Sequence, residues 1–158
     1  MNIIWFSAVK EENGWMSNMA PYPILFEGKI WGTSEALFQS LRYDDEEIKE
    51  IIRKEKSPMA AKMKAKKRIY VSKRIVVPMS GRDVENMKMC IRLKFEQHAD
   101  LRKLLIDTGE SLIFEDINER KKENDKFWGA RKISENKAEG KNMLGEILME
   151  IRKGFSIK

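Results

Sequence analysis

The chain has 158 residues, of which 42% are hydrophobic and 35% charged, with a formal net charge of +6. This length suits one domain spanning 1–158 with a core that needs no disulfide or structural metal, and the balance is that of a globular rather than a disordered chain. Its single cysteine, Cys90, excludes an internal disulfide and suits a reducing cytoplasm, and with one histidine a Cys/His zinc site is out of reach.

The N-terminus MNIIWFSAVK lacks the basic start and small-residue cleavage site of a signal peptide, and residues 2–8 read as a strand. The longest uncharged run, 13–26, is too short and too rich in Pro, Asn and Gly for a membrane span. ILFEGKIW reads as two short strands turning at Glu27 and Gly28. Thr33 or Ser34 caps a helix reaching about Tyr43, with Leu37, Phe38 and Leu41 on one face. At about 100° per residue, Glu35, Gln39 and Arg42 form a polar line on the opposite face. Glu35 there reads either as an ordinary helix-start charge or as an acid aimed at a ligand.

Ile48, Ile51 and Ile52 mark a second helix over 46–54. Ser57 and Pro58 open a third, Ser57 as cap and Pro58 in the first turn. RIYVSKRIVVP reads as either strand or helix, ended by Pro78. A long helix is expected over 83–98 with Val84, Met87 and Ile91 inward. Met59, Met63, Met87 and Met149 are read as packing residues. Asp100 is expected to cap a further helix closed by Gly109, and SLIFE to form a short strand. Residues 118–141 form a long polar segment with one aromatic pair, Phe127 and Trp128, beside Asp125. Asn142 is expected to cap a last helix with the stripe Leu144, Ile147, Leu148 and Ile151, while Gly140 permits close backbone approach. The fold class is α+β, predominantly helical, with a small sheet.

The basic stretch KMKAKKRIYVSKR is a solvated lysine-rich face or a surface for a polyanion. Neither phosphate-loop signature, G-x-x-x-x-G-K-[ST] or G-x-G-x-x-G, is present, no cofactor is indicated, and any metal would have to be a hard cation held by oxygen. His98 reads as structural.

Five stretches together resemble the YbiA/NADAR family of N-glycosidases: MSNMAPYPILFEGKIWGTSEALFQSLRY, SPMAAKM, MKMCIRLKFEQHADLRKLLIDTG, NDKFWG and GKNMLGEILMEIR. They follow the family's order and cover most of residues 15–152. The resemblance implies hydrolysis of the C1′–N bond of a ribosylamine. The leading expectation is removal of ADP-ribose from the exocyclic amine of guanine in nucleic acid, opposing DarT-type toxins. The alternatives are cleavage of early riboflavin-pathway ribosylaminopyrimidine phosphates, and a non-catalytic ADP-ribose-binding module. It also implies that Glu35, in T-S-E, is the principal catalytic carboxylate and Asp125, in D-x-[FY]-W-G, the second acid. Asn18, Gln39, Arg42, Phe127, Trp128, Gly129, Gly140 and Asn142 are expected to contact substrate, Arg42 by gripping a phosphate. Lys62, Lys66, Lys67 and Arg68 are expected to contact DNA, and no membrane partner is expected.

The chain departs from the family pattern in three places. Arg42 stands where F-Q-x-x-K has a lysine considered as an imine-forming nucleophile, a role arginine cannot fill. No tryptophan lies between Trp31 and Trp128, and Met79 or Tyr70 falls near the missing one. Ala36 replaces the histidine of T-S-E-H.

Overall fold

The structure, a computed structural model, describes residues 2–157. Two compact units emerge: residues 18–97 form one, and residues 1–17 together with 98–158 form the other. The family resemblance runs through both.

The continuous unit opens with the hairpin β2 (Ile24–Phe26) and β3 (Lys29–Trp31), turned by Glu27 and Gly28 as expected, both at positive φ. Thr33 caps α1 (Ser34–Ser40) by accepting from the Ala36 N–H. Asp45 caps α2 (Glu46–Arg53), and Ser57, with Pro58 in the first turn, opens α3 (Pro58–Ala65). The ambiguous RIYVSKRIVVP stretch resolves into one helical turn, α4 (Arg68–Val71), followed by irregular chain to α5 (Gly81–Gln97). Helix α1 packs against α2, α3 and α5, so the element carrying Glu35 is the centre of this unit. The Tyr43 hydroxyl donates to the Ala65 carbonyl (2.6 Å) and the Ile75 N–H to the Arg42 carbonyl (2.8 Å), fixing the end of α1. Gln97 clips the Leu25 backbone through both its amide groups, at 2.8 Å each, holding the hairpin to the end of α5.

Two packing expectations change. Met59 and Met63 are 57% and 60% exposed, because α3 packs through the small side chains Ala61 and Ala65 on its other face. On α5 the inward face contains Asp83 and Lys94 beside Met87, Cys90, Ile91 and Phe95, while Val84 is only half-buried. The burial stripe is therefore shifted by one residue at the start of that helix.

In the discontinuous unit, β1 (Ile3–Phe6) pairs in parallel with β4 (Leu112–Glu115), which supports α8 (Met143–Ser156). The stripe Leu144, Ile147, Leu148 and Ile151 is buried as the periodicity predicts. Helix α6 (Ala99–Asp107) begins after His98 rather than after an Asp100 cap, and Asp100 lies in its first turn, where an acid suits the helix dipole. Gly109 follows α6 at positive φ, as a C-terminal glycine does. Residues read as a long polar loop are ordered into α7 (Glu123–Trp128) and the hairpin β5 (Arg131–Ser134) and β6 (Lys137–Glu139). Among the described residues the sheets are all two-stranded, and no helix is long and apolar enough to cross a membrane.

Asn142 precedes α8 but does not cap it with its side chain. Its Oδ1 accepts from the Glu115 N–H (3.0 Å) and its Nδ2 donates to the Ile113 carbonyl (2.8 Å). The amide extends the β4 ladder, and Gly145 makes room for it: a Cβ at 145 would fall on the Ile113 carbonyl and on the Asn142 amide. Gly145→Ala should therefore destabilise by about 1–3 kcal/mol despite alanine's better helix propensity. Urea unfolding of the two proteins checks this, and an unchanged or raised midpoint would show that the backbone yields there.

Candidate functional site

The ten residues expected to form the site fall into two groups, one in each unit. Asn18, Glu35, Gln39 and Arg42 belong to the continuous unit and are joined by direct hydrogen bonds. Glu35 sits in the first turn of α1, where the Thr33 cap starts the helix and the Glu35 N–H donates to the Asn18 carbonyl (3.1 Å). Its side chain is only 7% exposed. Asn18 Nδ2 donates to one carboxylate oxygen (2.6 Å) and Gln39 Nε2 to the other (2.8 Å). The orientation of Asn18 is set in turn, because its Oδ1 accepts from the Ser34 hydroxyl. Glu35 is thus a rigidly aimed acceptor rather than a solvated helix-start charge.

Arg42 does not present an open fork for phosphate. Its Nε and one terminal nitrogen donate to the two oxygens of Asp83, at 2.9 and 2.8 Å, and the guanidinium lies 4.8 Å from the centre of the Phe38 ring. The pair is fully enclosed: Arg42 is 3% exposed and Asp83 0%. Asp83 also accepts from the Met79 N–H (2.8 Å), and the remaining Arg42 nitrogen faces Gln39 Oε1 at 3.4 Å. The expected phosphate clamp is replaced by an internal ion pair, because a guanidinium buried at this point needs a carboxylate with matching bidentate geometry.

Sequence reasoning passed over two buried charged residues of this unit, Asp83 and Lys94. The 83, 87, 90, 94 spacing, with Met87 and Cys90 apolar, was the signal that could have found both. Arg42, past the end of α1, meets Asp83 near the start of α5. Burial pushes the Cys90 thiol well up, helped by the negative charges of Glu35 and then Asp83. Lys94 lies one turn beyond Cys90 on α5. Burial pushes the Lys94 ammonium down to about 7, and its Nζ lies 5.4 Å from the centre of the Tyr22 ring and 5.5 Å from that of Phe95.

The second group belongs to the discontinuous unit. Asp125 lies on α7 rather than in a loop, and its Oδ1 is 3.4 Å from a terminal nitrogen of Arg120. Phe127 and Trp128 meet edge to face at 4.9 Å, and the Lys141 ammonium lies 5.4 Å from the Phe127 ring centre. Gly129 and Gly140 bring two backbone segments together: the Asn142 N–H donates to the Gly129 carbonyl (3.1 Å), and a Cβ at 140 would overlap Gly129 and Ala130. Asn142, with both amide groups committed to β4, supports this loop crossing rather than offering its side chain to a ligand. Among the described residues no cluster of His, Cys, Asp and Glu could hold a metal. On the α3–α4 segment Lys66, Lys67 and Arg68 are exposed and Lys62 half-buried.

Comparison with known proteins shows the family to which the chain belongs. The chain is 37% identical over 156 residues to N-glycosidase YbiA of Escherichia coli, covering 99% of this chain and 90% of that protein. The solution NMR structure of E. coli YbiA superposes with a TM-score of 0.80, at 37% identity, covering 99% of this chain and 86% of that one. A riboflavin biosynthesis protein of Vibrio vulnificus is 28% identical over 150 residues, 94% of this chain and 37% of that protein. The NADAR domain matches residues 5–156, spanning both units, and the chain belongs to the NADAR domain family.

Proposed function

We propose that this chain is an N-glycosidase that removes ADP-ribose from the exocyclic amine of guanine in nucleic acid. The observation that carries the reading is the state of Glu35, a buried carboxylate whose two oxygens are held by Asn18 and Gln39. In such a hydrolysis the C1′–N bond breaks, a water oxygen bonds to C1′, one water proton is taken up by a base, and the departing amine gains a proton. A fixed carboxylate that accepts amide N–H groups is equipped for the base role and for balancing positive charge on the sugar. Asp125 is assigned as the second acid, with Trp128 and Gly129 beside it.

The polyanionic substrate is supported by charge. No Asp or Glu occurs between Glu55 and Asp83, and Lys62, Lys66, Lys67 and Arg68 lie in that interval. The riboflavin relative favours a second reading, in which the same bond is cleaved in a small ribosylaminopyrimidine phosphate. One assay separates them: turnover of an ADP-ribosylated guanine oligonucleotide beside a ribosylaminopyrimidine phosphate, over a salt series. If the four cations each meet a phosphate, nucleic-acid affinity should fall on the order of 10²-fold between about 50 and 200 mM salt. Turnover of the small molecule alone, insensitive to salt, would overturn the nucleic-acid reading. Binding of ADP-ribose without hydrolysis of either substrate would overturn the enzymatic one.

A further inference from the structure

The Arg42–Asp83 ion pair has a geometric relation to Glu35. Gln39 stands between them with its amide read from both sides: its Nε2 donates to Glu35 Oε1 at 2.8 Å, and its Oε1 faces the Arg42 guanidinium at 3.4 Å. Turned over, that amide would set its oxygen against a carboxylate and its NH₂ against a cation. Both contacts would be repulsive, and Gln39 is 2% exposed, so little water is at hand to relieve them. Arg42 therefore decides which way Gln39 points, and Gln39 aims Glu35. Arg42 is itself fixed by the two-oxygen grip of Asp83, which is anchored by the Met79 N–H and whose own N–H donates to the Ser80 hydroxyl (3.3 Å). An arginine suits this post. Its fork satisfies both Asp83 oxygens while a further N–H faces Gln39, whereas a lysine offers a point charge without a fixed fork.

From this chain of contacts we infer that Arg42 and Asp83 are positioning residues for Glu35, acting through the amide of Gln39. The inference rests on the reading of Glu35 as the catalytic carboxylate. It accounts for the arginine in F-Q-x-x-R as a part of the site that never touches substrate.

The test measures kcat, KM and the pH–rate profile on the hydrolysed substrate, with thermal unfolding of each protein alongside. Asp83→Asn and Gln39→Met should each lower kcat at least 10-fold with KM changed less than about 3-fold, and the double variant should lose no more than the worse single one, since both cut the same link. Losses that multiply in the double variant would overturn the inference. Gln39→Glu supplies a readout that does not depend on Asp83 variants folding: its carboxylate keeps a favourable contact with Arg42 but faces Glu35, and two carboxylates sharing a site resist joint ionisation. The acidic limb of its kcat/KM profile should move up by about one pH unit or more, and an unmoved limb would overturn the inference. Retained turnover in Glu35→Gln would instead remove the underlying reading of Glu35. Loss there, combined with wild-type kinetics in Asp83→Asn and Gln39→Met, would remove only the positioning role.

Discussion

Glu35→Gln is expected to lower turnover by about 10²–10⁴-fold on whichever ribosylamine the protein hydrolyses, the range associated with losing a positioned general base. The substitution is nearly isosteric, so the packing around the first turn of α1 is preserved. It exchanges one carboxylate oxygen for an NH₂ group that must face either Asn18 Nδ2 or Gln39 Nε2, both of which are donors. Neither neighbour turns over freely: Asn18 Oδ1 is held by the Ser34 hydroxyl and Gln39 Oε1 faces Arg42. One donor–donor contact therefore remains, with a stability loss of about 1–3 kcal/mol. A thermal melt alongside single-turnover kinetics separates this modest destabilisation from the loss of chemistry. If the variant is folded and turns over substrate within a factor of about 3 of wild type, Glu35 is not the base.

Much of the frame holding Glu35 was legible in the sequence, because local chemistry specifies it. The Thr33 and Ser57 caps, Pro58 in a first turn, the Glu27–Gly28 turn and the leucine–isoleucine stripe of α8 are all decided within a few residues of themselves. What escaped was set by partners distant in sequence. Asp83 lies 41 residues from Arg42, and nothing near Arg42 distinguishes a guanidinium bound for an internal carboxylate from one bound for a phosphate. Asn142 stands where a capping residue should, but a strand edge 27 residues earlier claims its side chain. Residues 123–139 were polar enough to read as loop because a short hairpin and a six-residue helix show too little periodicity to register, and only Phe127 and Trp128 betray that the segment is packed. The family resemblance fills some of this gap by naming positions. It does not reveal that Gln39 donates to Glu35 and accepts from Arg42.

Lys94→Met is expected to remove a pH dependence of stability that the native chain carries between pH 7 and 10.5. In the unfolded chain the amine titrates near its ordinary 10.5, whereas in the fold burial brings it down to about 7. Between those values the unfolded state binds a proton that the folded state lacks, so stability rises with pH through this window. Below about 7 both states are protonated and the full penalty persists. Above 10.5 neither is, and the penalty is gone. The gap corresponds to roughly 3–5 kcal/mol. The Tyr22 and Phe95 rings favour the cation, but their attraction is smaller than the desolvation that opposes it. Methionine keeps most of the side-chain volume, so the core around 1%-exposed Lys94 should not collapse. Denaturant unfolding of both proteins at pH 7 and 9.5 measures the effect: the native chain should gain stability between the two values, and the variant should gain less by about 3 kcal/mol, the part of the gap that this window covers. Equal gains would show that the amine is charged throughout and well compensated. The variant's turnover shows whether the buried amine also serves the chemistry. Loss of the pH dependence together with loss of activity would mean that the buried amine is kept for the chemistry.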